Sequence, residues 1–175
     1  MIRRTILAVM LLTSIAVRAE IGDTDSLSKA KQAREARKEA YAAEIDAIVK
    51  SRDYIFRPIT MQNITSGNTR SIFAYYLYMG VVDDKVVLHL PVEFTSFVID
   101  TVNLDAFIEG YHATFNNGNW RITFSFMNGS ERWLAELFLS NITGQTRLAL
   151  VTPEGVMRYL GTIESGQKSA KKRKK

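Results

Sequence analysis

The sequence predicts an α+β fold that is mainly β. An N-terminal helix leads into a seven- to eight-stranded antiparallel meander, built as a sandwich or a strongly curved sheet. Three observations predict it. Residues 26–52 lack Gly and Pro and are dominated by Ala, Glu, Lys, Arg and Gln, a composition that favours helix. From Asp53 onward the apolar period changes from helical to alternating, with turn residues recurring about every eight to twelve positions. No strand–helix–strand alternation follows, which argues against a parallel nucleotide-binding sheet.

The first element is an address. Arg3 and Arg4 precede a nearly pure apolar run, Ile6 to Val17, and Val17-Arg18-Ala19 then offers short side chains before charge begins at Glu20. That order is the signature of a secretory signal peptide over residues 1–19. The run falls short of the roughly 18–20 apolar residues that span a bilayer, which weighs against an uncleaved anchor. The expected location is therefore the periplasm or cell surface. With no Cys in the chain, neither a lipidated cysteine nor a disulfide is available, so an apolar core must hold the domain together. Roughly 155 residues remain after cleavage, which suits one domain with a sizeable core.

The net charge of +5 conceals an uneven distribution. Segment 20–52 has 7 basic and 7 acidic residues, segment 53–164 has 7 basic against 11 acidic, and the last eight residues carry +6. The predicted organisation is a helical lead-in over 20–52, an antiparallel β domain over 53–164 and a disordered basic tail over 165–175. The tail is too poor in apolar residues to order itself.

Residues 20–25 read as loose, with Asp25 as the N-cap of a helix from Ser26 to about Arg52. Tyr41, Ile45, Ile48 and Val49 form its apolar stripe, while the stretch from Ala30 to Ala40 offers only alanines. Tyr54–Met61 reads as an edge strand, because Pro58 cannot donate to a ladder. Arg70–Met79 reads as one strand rich in aromatics, and Asp83-Asp84 turns the chain into Lys85–Pro91. Residues 92–103 lack a clean period. Leu104–Phe115 is strand-like but interrupted at Gly110, so it divides into two short strands. Asn116-Asn117-Gly118-Asn119 is a hairpin turn, since Asn and Gly tolerate positive φ. Trp120, Ile122, Phe124 and Phe126 then alternate with polar neighbours as the best-defined half-buried strand. Arg132–Ser140, Thr146–Thr152 and Val156–Glu164 complete the meander.

The segments IVKSRDYIF, SGNTRSI, VVLHLP, WRITFSF and YLGTIE together resemble a family of exported bacterial domains of unknown function, family 4251. The resemblance spans roughly residues 29–164 and is carried by strands and turns, without a catalytic signature. After Leu90-Pro91 the chain reads Val92-Glu93-Phe94-Thr95, where the family pattern continues with an aromatic residue and a glycine. The resemblance implies an extracytoplasmic location and supplies no activity.

No catalytic residue, metal ligand set or cofactor motif emerges. The two histidines, His89 and His112, fall in predicted strands, where a structural role is the commoner one. Asp100, Asp105 or Glu109 beside Thr95 or Ser96 does not by spacing compose a base–nucleophile pair. G-x-S-x-G, H-E-x-x-H, glycine-rich phosphate loops and clustered acidic calcium loops are absent. Phe73, Tyr75, Tyr76 and Tyr78 fall on both faces of one predicted strand, so one face is free to form a binding platform. Lys171, Lys172, Arg173, Lys174 and Lys175 suit salt-sensitive contact with anionic envelope polymers, the plainer reading being a solubilising tail. Asn63, Asn128 and Asn141 match glycosylation sequons but read as turn residues.

Two functions remain. The first is a non-enzymatic exported binding domain for a protein, or for a small apolar or sugar ligand, with no specific nucleic acid. The alternative is an envelope or polymer hydrolase whose dispersed carboxylates (Glu93, Asp100, Asp105, Glu109, Glu131, Glu136) converge in one cleft.

Overall fold

The computed structural model describes residues 2–72, 74–93 and 100–166. The chain divides into two compact units, Met1–Ala40 and Tyr41–Lys175.

Helix α1 runs from Ile2 to Ser51 without interruption. Residues 20–25, expected to be loose, are therefore helical, and Asp25 lies within the helix instead of capping it. Gly22 is the weakest helix former in that stretch, and there is no Pro. A helix already nucleated on either side propagates through one Gly at a cost of about 1 kcal/mol. The described side chains from Ser26 to Ala40 are exposed, with Lys38 donating to Glu35 at 2.9 Å. In the second unit, the end of α1 buries Ile45, Ile48 and Val49 in the core, as the stripe predicts, whereas Tyr41, its first member, is exposed. Arg52 ends the helix at φ 51°, the left-handed conformation more often left to Gly, and its guanidinium lies 4.4 Å from the Tyr111 ring centroid.

Ten antiparallel strands follow, rather than seven or eight. They are β1 (Asp53–Asn63), β2 (Thr69–Ser71), β3 (Tyr78–Val82), β4 (Lys85–Val92), β5 (Asp100–Phe107), β6 (Glu109–Asn116), β7 (Asn119–Asn128), β8 (Glu131–Ser140), β9 (Gln145–Thr152) and β10 (Gly155–Ser165). They form one open sheet in the order β5-β4-β3-β1-β10-β9-β8-β7-β6, with β2 paired to β1. A single core includes Leu88 and Leu90 of β4, Phe124 and Phe126 of β7, and Leu137 and Leu139 of β8. Strands from both ends of the order share this core, and the Ile108 amide donates to the Asp84 carbonyl at 2.8 Å. The sheet is therefore the strongly curved alternative, bent over its inner face.

Two expectations about individual strands are corrected. Strand β1 is central, paired with β10 over most of its length, with β3 at Asp53–Phe56 and with β2 at Thr60–Gln62. Pro58 is tolerated because it falls in the gap between the β3 and β2 pairings, beside a register shift against β10. The predicted strand Arg70–Met79 is split into β2 and β3, with a turn at Tyr75-Tyr76 between them. Further along, Ile108 separates β5 from β6, while Gly110, at φ 63°, lies at a bulge between Glu109 and His112. Asn117 and Gly118, at φ 48° and 74°, make the two-residue β6–β7 turn. Trp120, Ile122, Phe124 and Phe126 are all buried, as their alternation predicts. Ser165, assigned to the tail by sequence, instead closes β10 opposite Tyr54. The predicted disorder of the tail from 167 onward lies outside the described residues.

Candidate binding surface

The outer face of the curved sheet carries the candidate residues. Alternation along β3 and β4 turns Met79, Val81, Leu88 and Leu90 inward and leaves Tyr78 and His89 on the opposite face as cross-strand partners. His89 is opposite Asn103 of β5, and its Nδ1 is hydrogen-bonded to the Asn103 side-chain oxygen. Before β3, the Tyr75-Tyr76 turn lifts two tyrosines into solvent, 86% and 57% exposed. The Tyr76 ring stands edge-on to Tyr75 at 6.1 Å and to His89 at 5.7 Å, and Tyr78 lies 6.2 Å from His89. The structure thus brings Tyr75, Tyr76 and Tyr78 together, on a turn and a strand end instead of along one strand.

Arg57 of β1 secures this cluster from behind. Its Nη1 donates to the Tyr75 carbonyl at 2.7 Å, its Nε to Glu164 Oε1 at 2.6 Å, and its guanidinium carbon lies 6.0 Å from the Tyr78 ring centroid. A charge-assisted bond from a central strand thus ties the exposed turn to the sheet. Arg57 and His89 carry no local signal for this role in the sequence, since only strand register makes them neighbours of the tyrosines. Phe73 lies outside the described residues, as do Thr95, Ser96 and the tail cations Lys171, Lys172, Arg173, Lys174 and Lys175.

The carboxylates of the hydrolase alternative are distributed over the sheet, several of them in pairs with cations. Glu93 is buried, accepts from Arg70 at 2.9 Å and from Asn68 at 3.3 Å, and ties β2 to the end of β4. Glu109 pairs with Arg132 at 3.0 Å, Glu136 with Arg121 at 3.5 Å and Asp105 with Lys85 at 3.9 Å. Glu131 accepts from the Trp133 indole at 3.3 Å, and Asp100 is exposed at the start of β5. His89 is on β4 and the exposed His112 on β6, strands near opposite ends of the sheet order. Among the described residues no group of three His, Asp or Glu side chains is arranged to hold a metal ion. No described helix is long and apolar enough to cross a membrane.

The sequon asparagines are at turns. Asn63, 4% exposed, accepts from the amides of Thr65 and Ser66 at 2.8 and 3.1 Å and shapes the β1–β2 turn. Asn128 ends β7, and Asn141 follows β8 with its amide bonded to the Gly118 carbonyl.

A family model described as Domain of unknown function (DUF4251) matches residues 36–163. Among solved structures, the chain is similar to a DUF4251 family protein from Bacteroides eggerthii DSM 20697, with a TM-score of 0.62 at 12% identity, covering 74% of this chain and 90% of that one. At that identity the likeness concerns the fold alone. No curated protein matches.

Proposed function

This chain belongs to the DUF4251 family, and from that premise we propose that it is a non-enzymatic exported binding domain whose tyrosine turn docks into a protein partner. The observation that carries the reading is the exposure of Tyr75 and Tyr76 on an anchored turn, 86% and 57%. Small-molecule sites are concave and bury most of their ligand. Tyrosines standing this far into solvent are the converse shape, a knob. Tyr is also enriched among the residues that dominate protein interfaces, because it carries large contact area with only two side-chain torsions and a polar tip. The Arg57 bond to the Tyr75 carbonyl lowers the entropy lost when the turn is captured. Export is supported by Arg3, Arg4, the Ile6–Val17 run and Val17-Arg18-Ala19. The partner is then a protein of the periplasm or cell surface, and the cationic tail adds salt-sensitive attraction to anionic envelope polymers.

Two measurements test the reading. N-terminal sequencing of exported protein should begin at Glu20, and an intact Met1 on membrane-bound material would contradict cleavage. For docking, photocrosslinking from position 76 should trap a discrete envelope protein. Tyr75→Ala with Tyr76→Ala should abolish its retention while leaving the melting temperature unchanged. A double variant that keeps the partner rules out the tyrosine turn as the docking element.

A further inference from the structure

A second feature of the outer face lies across β1, β10, β9, β8 and β7 and is independent of the tyrosine turn. Segment 53–164 holds 7 basic and 11 acidic residues, so cations are the minority charge. Five of the seven are in ion pairs: Arg57 with Glu164, Arg70 with Glu93, Lys85 with Asp105, Arg121 with Glu136, and Arg132 with Glu109. Arg147 and Arg158 have no carboxylate partner among the described residues, and both line one depression of about 620 Å³.

Strand register explains how they come together. One row across the sheet reads Gln62, Arg158, Ala149, Glu136, and the next reads Thr60, Leu160, Arg147, Phe138, Arg121. Arg158 and Arg147 are diagonal neighbours on adjacent strands, so their backbones lie roughly 7–8 Å apart. Ala149 is directly opposite Arg158, and its short side chain makes the hollow. Arg147 lies 4.9 Å from the Phe138 ring centroid, which steers its guanidinium. Glu136, the acid among the lining residues, is engaged by Arg121 at 3.5 Å. An otherwise acidic domain has placed its two carboxylate-free arginines side by side over an apolar floor of Phe138, Ala149 and Leu160.

We infer that this depression binds a small organic anion. A phosphate, sulfate or carboxylate head is held by Arg147 and Arg158, and a flat apolar body lies on Phe138 and Leu160. Guanidinium forks match such oxyanions geometrically, and Gln62 and Thr60 supply further donors at the rim. The volume is that of a site for a compact molecule, within the range of roughly 300–1,000 Å³ usual for ligand pockets. A long polyanion would instead call for a charged track, which a segment with 7 basic and 11 acidic residues does not supply.

Calorimetry on the mature chain, with 2-naphthyl phosphate and 2-naphthoate as probes and 2-naphthol and inorganic phosphate as their half-probes, tests the inference. At least one of the two anionic naphthyl probes should bind, and bind more tightly than either half-probe. Arg147→Gln and Arg158→Gln should each weaken it about tenfold or more, the scale of one charge-assisted hydrogen bond. Arg132→Gln, at an ion pair elsewhere, and the Tyr75→Ala/Tyr76→Ala pair should leave it unchanged, which separates this site from the tyrosine turn. Circular dichroism confirms folding of each variant. Absence of binding by both anionic probes at millimolar concentration overturns the inference. So does equal binding by the Arg147→Gln/Arg158→Gln variant, or a preference for heparin that disappears with salt.

Discussion

Replacing Gly161 by Ala is the most discriminating single change in the fold. Gly161 of β10 is opposite Pro58 of β1, where the ladder shifts register. A Cβ at this position would be driven into the Arg57 carbonyl group, 2.8 Å from its carbon and closer still to its oxygen, and 2.9 Å from Phe56 Cε2. Carbon atoms in comfortable contact are about 3.5–4.0 Å apart, so the shortfall is roughly 0.6–1.2 Å. Phe56 is fully buried and cannot swing aside. The Arg57 carbonyl belongs to a strand paired on both sides of the clash, so the two central strands must part. Overpacking costs about 1–3 kcal/mol, and weakening a neighbouring ladder bond adds about 0.5–1.5 kcal/mol. The expected loss is about 3 kcal/mol, a large share of the roughly 5–15 kcal/mol typical of a domain. At about 2–4 °C per kcal/mol for a chain of this size, the melting temperature should fall by roughly 6–12 °C. Urea melts followed by the fluorescence of the buried Trp120 and Trp133 read it directly. Gly80→Ala is the control, since a Cβ there meets its nearest atom at an ordinary 3.6 Å. A Gly161→Ala loss below about 1 kcal/mol, or one no larger than that of Gly80→Ala, would refute the argument.

Replacing Phe124, 1% exposed and stacked on Tyr111 with ring centroids 6.0 Å apart, by Ala should cost about 3–5 kcal/mol; a loss under about 1 kcal/mol in denaturant melts would contradict its place in the core. Alkaline stability offers a test of the buried tyrosines. Burial raises the hydroxyl pKa of both Tyr54 and Tyr159 well above the usual value, and Tyr159 donates to the Pro91 carbonyl at 2.7 Å. The folded state therefore keeps both protons while the unfolded chain sheds them above about pH 10, so this stability is complete below that pH and is lost as pH rises. Each tyrosine contributes a slope of about 1.4 kcal/mol per pH unit, and Tyr159→Phe should remove one such share. Identical slopes for parent and variant between about pH 10 and 11.5 would count against this assignment.

The strands with strict alternation were legible from sequence, because burial on one face of a sheet imposes a period of two on the side chains. Trp120 to Phe126 is the clearest instance. Pro58 misled for a physical reason. A missing amide argues for an edge only when both neighbours bond at that residue, and here β3 stops before it while β2 starts after it. The aromatic run before Met79 suited a strand by propensity, yet Tyr75 and Tyr76 are not buried against the core and form a turn instead. Arg147 and Arg158 were invisible as a pair. They are on different strands, each alternating with buried neighbours as any outward-facing strand residue does, and only the β9–β10 register makes them neighbours. Arg52 likewise gave no hint that it ends the helix in a conformation usually left to Gly.

The pairing of β1 with β10 at the middle of the sheet bears on how the polypeptide assembles. Tyr54 meets Ser165, so the sheet's central seam closes only after almost the whole domain has been made. Until then, β1 presents an unpaired edge, and closing so long a loop slows folding. The strand order also reads as a continuous up-and-down ring interrupted at Ile108, where β5 ends and β6 begins. A rearranged gene that joins the end of β10 to the core-packing last turns of α1, from Tyr41, and opens the chain at Ile108 would encode the same sheet in nearest-neighbour order, with that short helix between β10 and β1. Every long-range strand pairing would then become a local one. The architecture is thus a set of nearest-neighbour pairings in which the two strands at the centre are the ones most distant along the chain.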